Sequence, residues 1–122
     1  MLRFFYKSKI QKATITQTNL EYAGSIGIDQ RLLAAADILP NEKVQVLNLE
    51  TGARFETYVI KEKPDSGTIC LYGPAARLGE VGQRLFIISY CLATAEEKNN
   101  IVSKVIIVDR KNRIVKEEEK NV

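Results

Sequence analysis

The 122-residue chain contains no histidine. That absence removes Ser–His and Cys–His nucleophile pairs and every histidine-ligated metal site. Proton chemistry, if there is any, falls to tyrosine, lysine, carboxylates or a built-in cofactor. Cysteine is scarce: Cys70 and Cys91 fit no CxxC spacing and no disulfide scaffold,. Each stands in an apolar context and is expected as a buried free thiol in the core. Long apolar runs are also missing. The uncharged stretch Leu85–Ala95 falls well short of the roughly 20 residues that span a bilayer. The amino-terminal segment is basic but has no apolar stretch with a cleavage site, so no secretory signal is read there. The expectation is a soluble, cytoplasmic protein that meets no membrane.

What is present is the material of an ordinary domain. Of the residues 45% are hydrophobic and 27% charged, with 7 Gly and 3 Pro, which argues for a single domain over 1–122. Net charge is +3, but it is unevenly spread. Arg3, Lys7, Lys9 and Lys12 occupy the first 20 residues without an acid, leaving the remainder at −1. A solvated basic strand face explains this better than a nucleic-acid footprint, which interleaves such charges with exposed aromatics or glycine-rich loops. Only Phe4, Phe5 and Tyr6 favour the latter.

Along the chain, short strands alternate with turn chemistry. Strands are expected at Leu2–Tyr6, Lys9–Thr16, Ser25–Asp29, Lys43–Asn48, Arg54–Lys61, Thr68–Leu71, Arg84–Cys91, Ser103–Val108 and Arg113–Lys116. Asp29 is a natural N-cap for a helix over Gln30–Ala36, and Pro74 suits the first turn of a second short helix. Glu117–Lys120 reads as a solvated, frayed tail. The pattern predicts a mainly-β barrel with short helices.

Four local features carry chemical content, and each alone has an ordinary structural explanation. In Gly24-Ser25, glycine reaches backbone conformations closed to other residues, so a strained bond would let the Ser25 hydroxyl attack the Gly24 carbonyl. In the strand after Gly52, Arg54, Glu56 and Tyr58 share one face, and Phe55, Thr57 and Val59 the other. That face offers a guanidinium clamp for a carboxylate beside a phenolic acid. Tyr72-Gly73-Pro74-Ala75 leads into a helix start, where backbone N–H groups can hold a carboxylate. Lys9 is either a binding lysine or one more solvated charge.

Taken together, the pieces resemble the pyruvoyl-dependent aspartate 1-decarboxylase family. The resemblance is carried by Lys7-Ser8-Lys9-Ile10, Asn19 to Ser25, Ile28-Asp29, Asn48, Thr51 to Tyr58, Gly73-Pro74-Ala75-Ala76-Arg77 and Gly79-Glu80-Val81-Gly82, from Met1 to about Tyr90. It implies a double-psi β-barrel and a homotetramer with active sites between subunits. It also implies autocatalytic cleavage at Gly24-Ser25 into a 1–24 β chain and a 25–122 α chain, with Ser25 converted to a covalent pyruvoyl cofactor. That group would form a Schiff base with L-aspartate and release CO2 to leave β-alanine for pantothenate synthesis. On the same resemblance Thr57 assists cleavage, Tyr58 donates a proton, Arg54 and Lys9 grip the side-chain carboxylate, and Gly73, Pro74 and Ala75 form the substrate loop. A maturation factor is left open. Two positions depart from the family pattern: Tyr72 stands where asparagine is usual, and Gln11 where many relatives have histidine. The competing expectations are a small basic β-barrel binding module and an uncleaved, silent homologue.

Overall fold

The alternation in the basic amino-terminal segment builds one long strand. In the computed structural model, which describes residues 1–122, β1 runs unbroken over Arg3–Thr14, correcting the two strands expected at Leu2–Tyr6 and Lys9–Thr16. Register shifts between Tyr6 and Ser8 and between Gln11 and Ala13 absorb the breaks in the pattern. At the second, Lys12 takes a left-handed conformation with φ 66°, as a bulge residue can.

The remaining strands are β2 (Gln17–Asn19), β3 (Ser25–Asp29), β4 (Lys43–Asn48), β5 (Arg54–Glu62), β6 (Ile69–Tyr72), β7 (Arg84–Ala93), β8 (Val102–Val108) and β9 (Ile114–Asn121). They form one mixed sheet in the order β2-β6-β3-β5-β4-β7-β1-β8-β9, the mainly-β architecture of a double-psi barrel. The pairs β1/β8, β2/β6 and β3/β5 are parallel. Parallel neighbours cannot be joined by a tight hairpin, so each requires a crossover. The crossover from β3 carries the only α-helix, α1 (Gln30–Ala36). The Asp29 carboxylate accepts the Arg31 N–H as the expected cap, and a left-handed Asp37 ends the helix before Pro40 is reached.

Leu32, Leu33 and Ala36 of α1 pack into a continuous core with Ile10, Ile26, Ile28, Val44, Val59, Ile69 and Ile87. β3 is buried along its whole length, as befits a short strand with pairing partners on both edges. Of the two cysteines, Cys70 is buried, but Cys91 is only half-buried. It occupies the carboxyl-terminal part of β7, paired with the likewise half-buried Phe5 of β1.

The expected frayed tail is also corrected. Glu117, Glu118, Glu119 and Lys120 pair in antiparallel register with Ile106, Val105, Lys104 and Ser103. Lys116 and Lys120 both bridge the Glu118 carboxylate. The backbone ladder satisfies this segment, and its charges sit on an outer edge strand, where they discourage pairing with other chains.

Candidate active site

Two strands bring the reactive pair to the edge of the barrel. β3 starts at Ser25, which pairs with Tyr72 of β6 on one side. On its other side the parallel register with β5 sets Ile26 against Val59. Continued toward the amino terminus, that register brings Ser25 beside Tyr58 and Gly24 beside Thr57.

Ser25 is 0% exposed, and its Oγ has no hydrogen-bond partner. An unsatisfied buried hydroxyl costs on the order of 1–3 kcal/mol; the Ser8 and Thr14 hydroxyls share this condition, but Ser25 alone of the three follows a positive-φ glycine. Gly24, immediately before it, has φ 109°, a conformation a side chain would strain. Gly73, at φ 63°, is the more tightly pressed: a Cβ there would lie 2.6 Å from the Tyr22 carbonyl oxygen and 2.7 Å from Gly24 Cα. Segments 22–24 and 72–74 therefore lie backbone against backbone at the bond.

A cavity of about 390 Å³ opens at this point. Gly24, Ser25, Thr57, Tyr58, Pro74 and Ala75 all line it, uniting six of the nine expected site residues. Thr57 and Tyr58 both reach it although neighbours on a strand point to opposite faces. The pairing of Leu47–Lys43 with Arg54–Tyr58 contains no register shift, so no bulge turns either residue; the cavity wraps the strand instead. The 3-10 helix Gly73–Leu78 forms the opposite wall, with Pro74 in its first turn.

Within one chain, Arg54 and Lys9 lie outside this cavity. The Arg54 guanidinium donates to Gln45 Oε1 at 3.2 Å, and the Lys9 ammonium sits 4.6 Å from the centre of the Tyr6 ring. Gln45 and Lys9 flank Ile88 on β7 from opposite sides, so both cations belong to the outer surface of the β4-β7-β1 sheet. Gly73, the remaining expected residue, abuts Gly24 from behind.

Tyr22, Tyr72 and Glu62 complete the surroundings. The Tyr72 hydroxyl donates to Glu62, 3.1 Å from Oε1 and 3.2 Å from Oε2. Burial, the neighbouring Cys70 thiol and the Glu62 charge push the Tyr72 phenol well above the ordinary tyrosine range, so it stays a neutral donor. Burial likewise raises the Cys70 thiol, which keeps it protonated and unreactive. Glu62 escaped the reading of the sequence. Its signal was the two-residue period Tyr58, Ile60, Glu62, which places it on the Tyr58 face.

Comparison with known proteins decides the lineage. A family model described as aspartate decarboxylase matches residues 1–115. The chain belongs to the aspartate decarboxylase family. The match passes well beyond Tyr90, so β8 and the start of β9 are part of the family's structure. Relatives named aspartate 1-decarboxylase include one from Caldicellulosiruptor saccharolyticus, 56% identical over 95% of this chain and 91% of its own. Another, from Thermoanaerobacter pseudethanolicus, is 56% identical over 94% of this chain and 98% of its own. A third, from Listeria welshimeri, is 50% identical over 93% and 90%. The family is one of carboxy-lyases, and membership makes this chain an enzyme of that class. No helix of the chain is long and apolar enough to cross a membrane.

Proposed function

We propose that the chain cuts itself between Gly24 and Ser25 into chains 1–24 and 25–122, and that the matured enzyme decarboxylates L-aspartate to β-alanine and CO2 for pantothenate synthesis. The observation that carries this reading is the fully buried, unpartnered Ser25 hydroxyl beside a positive-φ Gly24. A hydroxyl with no competing hydrogen bond, next to a carbonyl held in an unusual backbone geometry, suits attack at that carbonyl.

In the cleavage, a Ser25 Oγ–carbonyl bond forms, the Gly24–Ser25 C–N bond breaks, and the hydroxyl proton passes to the Ser25 nitrogen, giving an ester. Loss of the Ser25 α-proton then expels Gly24 as a carboxylate and leaves dehydroalanine. Addition of water and loss of ammonia convert that residue to a pyruvoyl group. Thr57 lines the same cavity as Gly24 and is assigned to support the negative charge that develops on the Gly24 carbonyl.

The residues present fit such a group at position 25, since the orphaned Oγ, Tyr58 and the Pro74–Ala75 wall share one cavity. The pyruvoyl ketone supplies an electron sink for the pair left behind when CO2 departs. The chain supplies the rest. The Tyr58 phenol, 41% exposed at the cavity, returns a proton to the substrate α-carbon. Arg54, with Lys9, binds the side-chain carboxylate; the planar guanidinium matches it in a two-point contact. Gly73, Pro74 and Ala75 shape the substrate's seat.

Arg54 and Lys9 lie outside the cavity of their own chain, which accords with sites completed between subunits of a homotetramer. Phe4 is 75% and Leu92 56% exposed on directly paired positions of β1 and β7, an apolar surface suited to such burial.

An intact mass spectrum under denaturing conditions tests the proposal. Two chains dividing after Gly24 are expected, the larger lighter by one ammonia than a serine-started chain. Release of β-alanine from L-aspartate by that material is the accompanying assay. A chain that remains whole after prolonged warming would overturn cleavage and leave a silent homologue.

A further inference from the structure

Tyr72 ends β6 just ahead of Gly73, and the structure shows where its bulk goes. The ring crosses β3 above Gly27: a Cβ at Gly27 would lie 2.9 Å from Tyr72 Cε2 and 2.8 Å from Glu62 Oε2. Only a residue with no side chain leaves that path open. The ring ends with its single hydroxyl proton donated to Glu62. That proton is therefore committed away from the Gly24 carbonyl. The ring also stacks on Tyr22, with centroids 4.5 Å apart and planes tilted by 42°. Tyr22 is itself 51% exposed, so little besides this stack restrains it.

Tyr22 lies just ahead of Gly24 on the segment whose backbone is packed against Gly73 and Pro74. A Cβ at Gly24 would already meet Pro74 Cδ at 3.4 Å. Three successive residues, 72 to 74, thus face three successive residues, 22 to 24, with a ring stack at one end and backbone contact at the other. Turns with so little hydrogen bonding are held mainly by such packing. On this approach the Glu21 N–H donates to Asn19 Oδ1 at 3.2 Å.

We propose that Tyr72, oriented by Glu62 and stacked on Tyr22, is the positioning residue for the Gly24–Ser25 bond in this chain. Its ring acts on maturation through Tyr22, from a strand position paired with Ser25 itself. The chain thus places an aromatic clamp on the segment leading into the bond. The inference rests on the self-cleavage proposed above.

The test is the rate of cleavage, followed by intact mass after expression at low temperature and transfer to a fixed temperature below melting. Loss of an aromatic pair worth about 0.5–1.5 kcal/mol should slow cleavage by roughly 2- to 12-fold in Tyr72→Ala. Tyr22→Ala should slow it comparably, and the double variant no further, because the two remove one interaction. Tyr22→Phe, which retains the stack, should cut at the wild-type rate. Melting temperatures are measured beside each rate, so that a misfolded Tyr72→Ala is recognised; Tyr22→Ala, at a half-exposed position, then carries the test. Equal rates for Tyr22→Ala and wild type, or additive effects in the double variant, would overturn the clamp while cleavage itself stood. An uncut wild-type chain would overturn both.

Discussion

The two ends of β3 are built on opposite principles, although only three residues separate Ser25 from Asp29. At the carboxyl end the Asp29 carboxylate, 2% exposed, accepts three backbone N–H groups: Arg31 at 2.8 Å, Asp65 at 3.1 Å and Gly67 at 2.9 Å. Beside it Asn112 accepts from the Thr14 N–H at 2.7 Å and donates to the Thr14 and Gly67 carbonyls, each at 2.8 Å. Two side chains there tie together α1, β1 and two loops, with every polar atom of both side chains paired, although the nearby Thr14 hydroxyl is buried without a partner. At the amino end the Ser25 hydroxyl is equally buried and has no partner. The satisfied end anchors the strand, so the other end can carry a group that is energetically unfavourable and chemically available. Buried polar groups are normally paired; the Ser8 and Thr14 hydroxyls are unpaired too, and what sets Ser25 apart is the positive-φ Gly24 before it.

The sharpest way to break this contrast is Ser25→Ala. It should abolish cleavage altogether and leave one intact chain by mass. Because it removes an unpaired buried hydroxyl, the melting temperature should hold or rise, by the equivalent of about 1 kcal/mol. A lower melting temperature would mean that the hydroxyl has a stabilising partner. Tyr58→Phe separates the two chemistries at the same end: fragments should form as in wild type, while turnover falls by roughly 10²–10⁴-fold, the usual worth of a general acid. Near-normal turnover would assign the proton to another group.

At the anchored end, Asn112→Ala should lower stability by about 2–4 kcal/mol, since three backbone groups lose their partner in the interior. It should leave the proposed self-cleavage intact in whatever fraction folds; denaturant unfolding and the mass spectrum together check this. A variant as stable as wild type would show that water replaces the side chain there.

The smallest expected effect is in pH. Burial opposes it, but the Ser89 hydroxyl, the Leu39 amide and the Lys7 ammonium hold the Glu42 carboxyl below an ordinary value of 4.5. The Arg84 backbone N–H and guanidinium do the same for Glu50. A carboxylate with a depressed folded-state value contributes stability above its unfolded value and loses it as pH falls through the folded one. Melting temperature should therefore decline as pH drops below about 4.5, and Glu42→Gln should flatten part of that decline. An unchanged acid limb in Glu42→Gln would place the loss on other carboxylates.

Much of the fold was open to reading because its signals are local. The helix Gln30–Ala36 with its Asp29 cap, the β4-β5 hairpin and the placement of Ser25 at a strand start all follow from spacing within a few residues. Four glutamates and lysines in a row at 117–120 misled for the same reason: composition says solvated, and only a partner strand 14 or so residues back in sequence turns such a stretch into β9. Cys91 was misplaced because a short apolar context does not reveal which sheet face is covered.

By itself, the sequence determined the chemistry on offer. Absence of histidine, the Gly24-Ser25 step and the order of motifs to Gly82 specify which groups can react, and these are covalent facts that folding does not alter. Tertiary structure alone decided which of them meet. It left the Ser25 hydroxyl buried and unpaired, gathered Thr57, Tyr58, Pro74 and Ala75 around it, and kept Arg54 and Lys9 outside. It also turned Tyr72 toward Glu62 and Tyr22. Each of those outcomes depends on parallel pairings and crossovers between distant segments, whose register is set by burial of the whole sheet face rather than by any neighbouring residues.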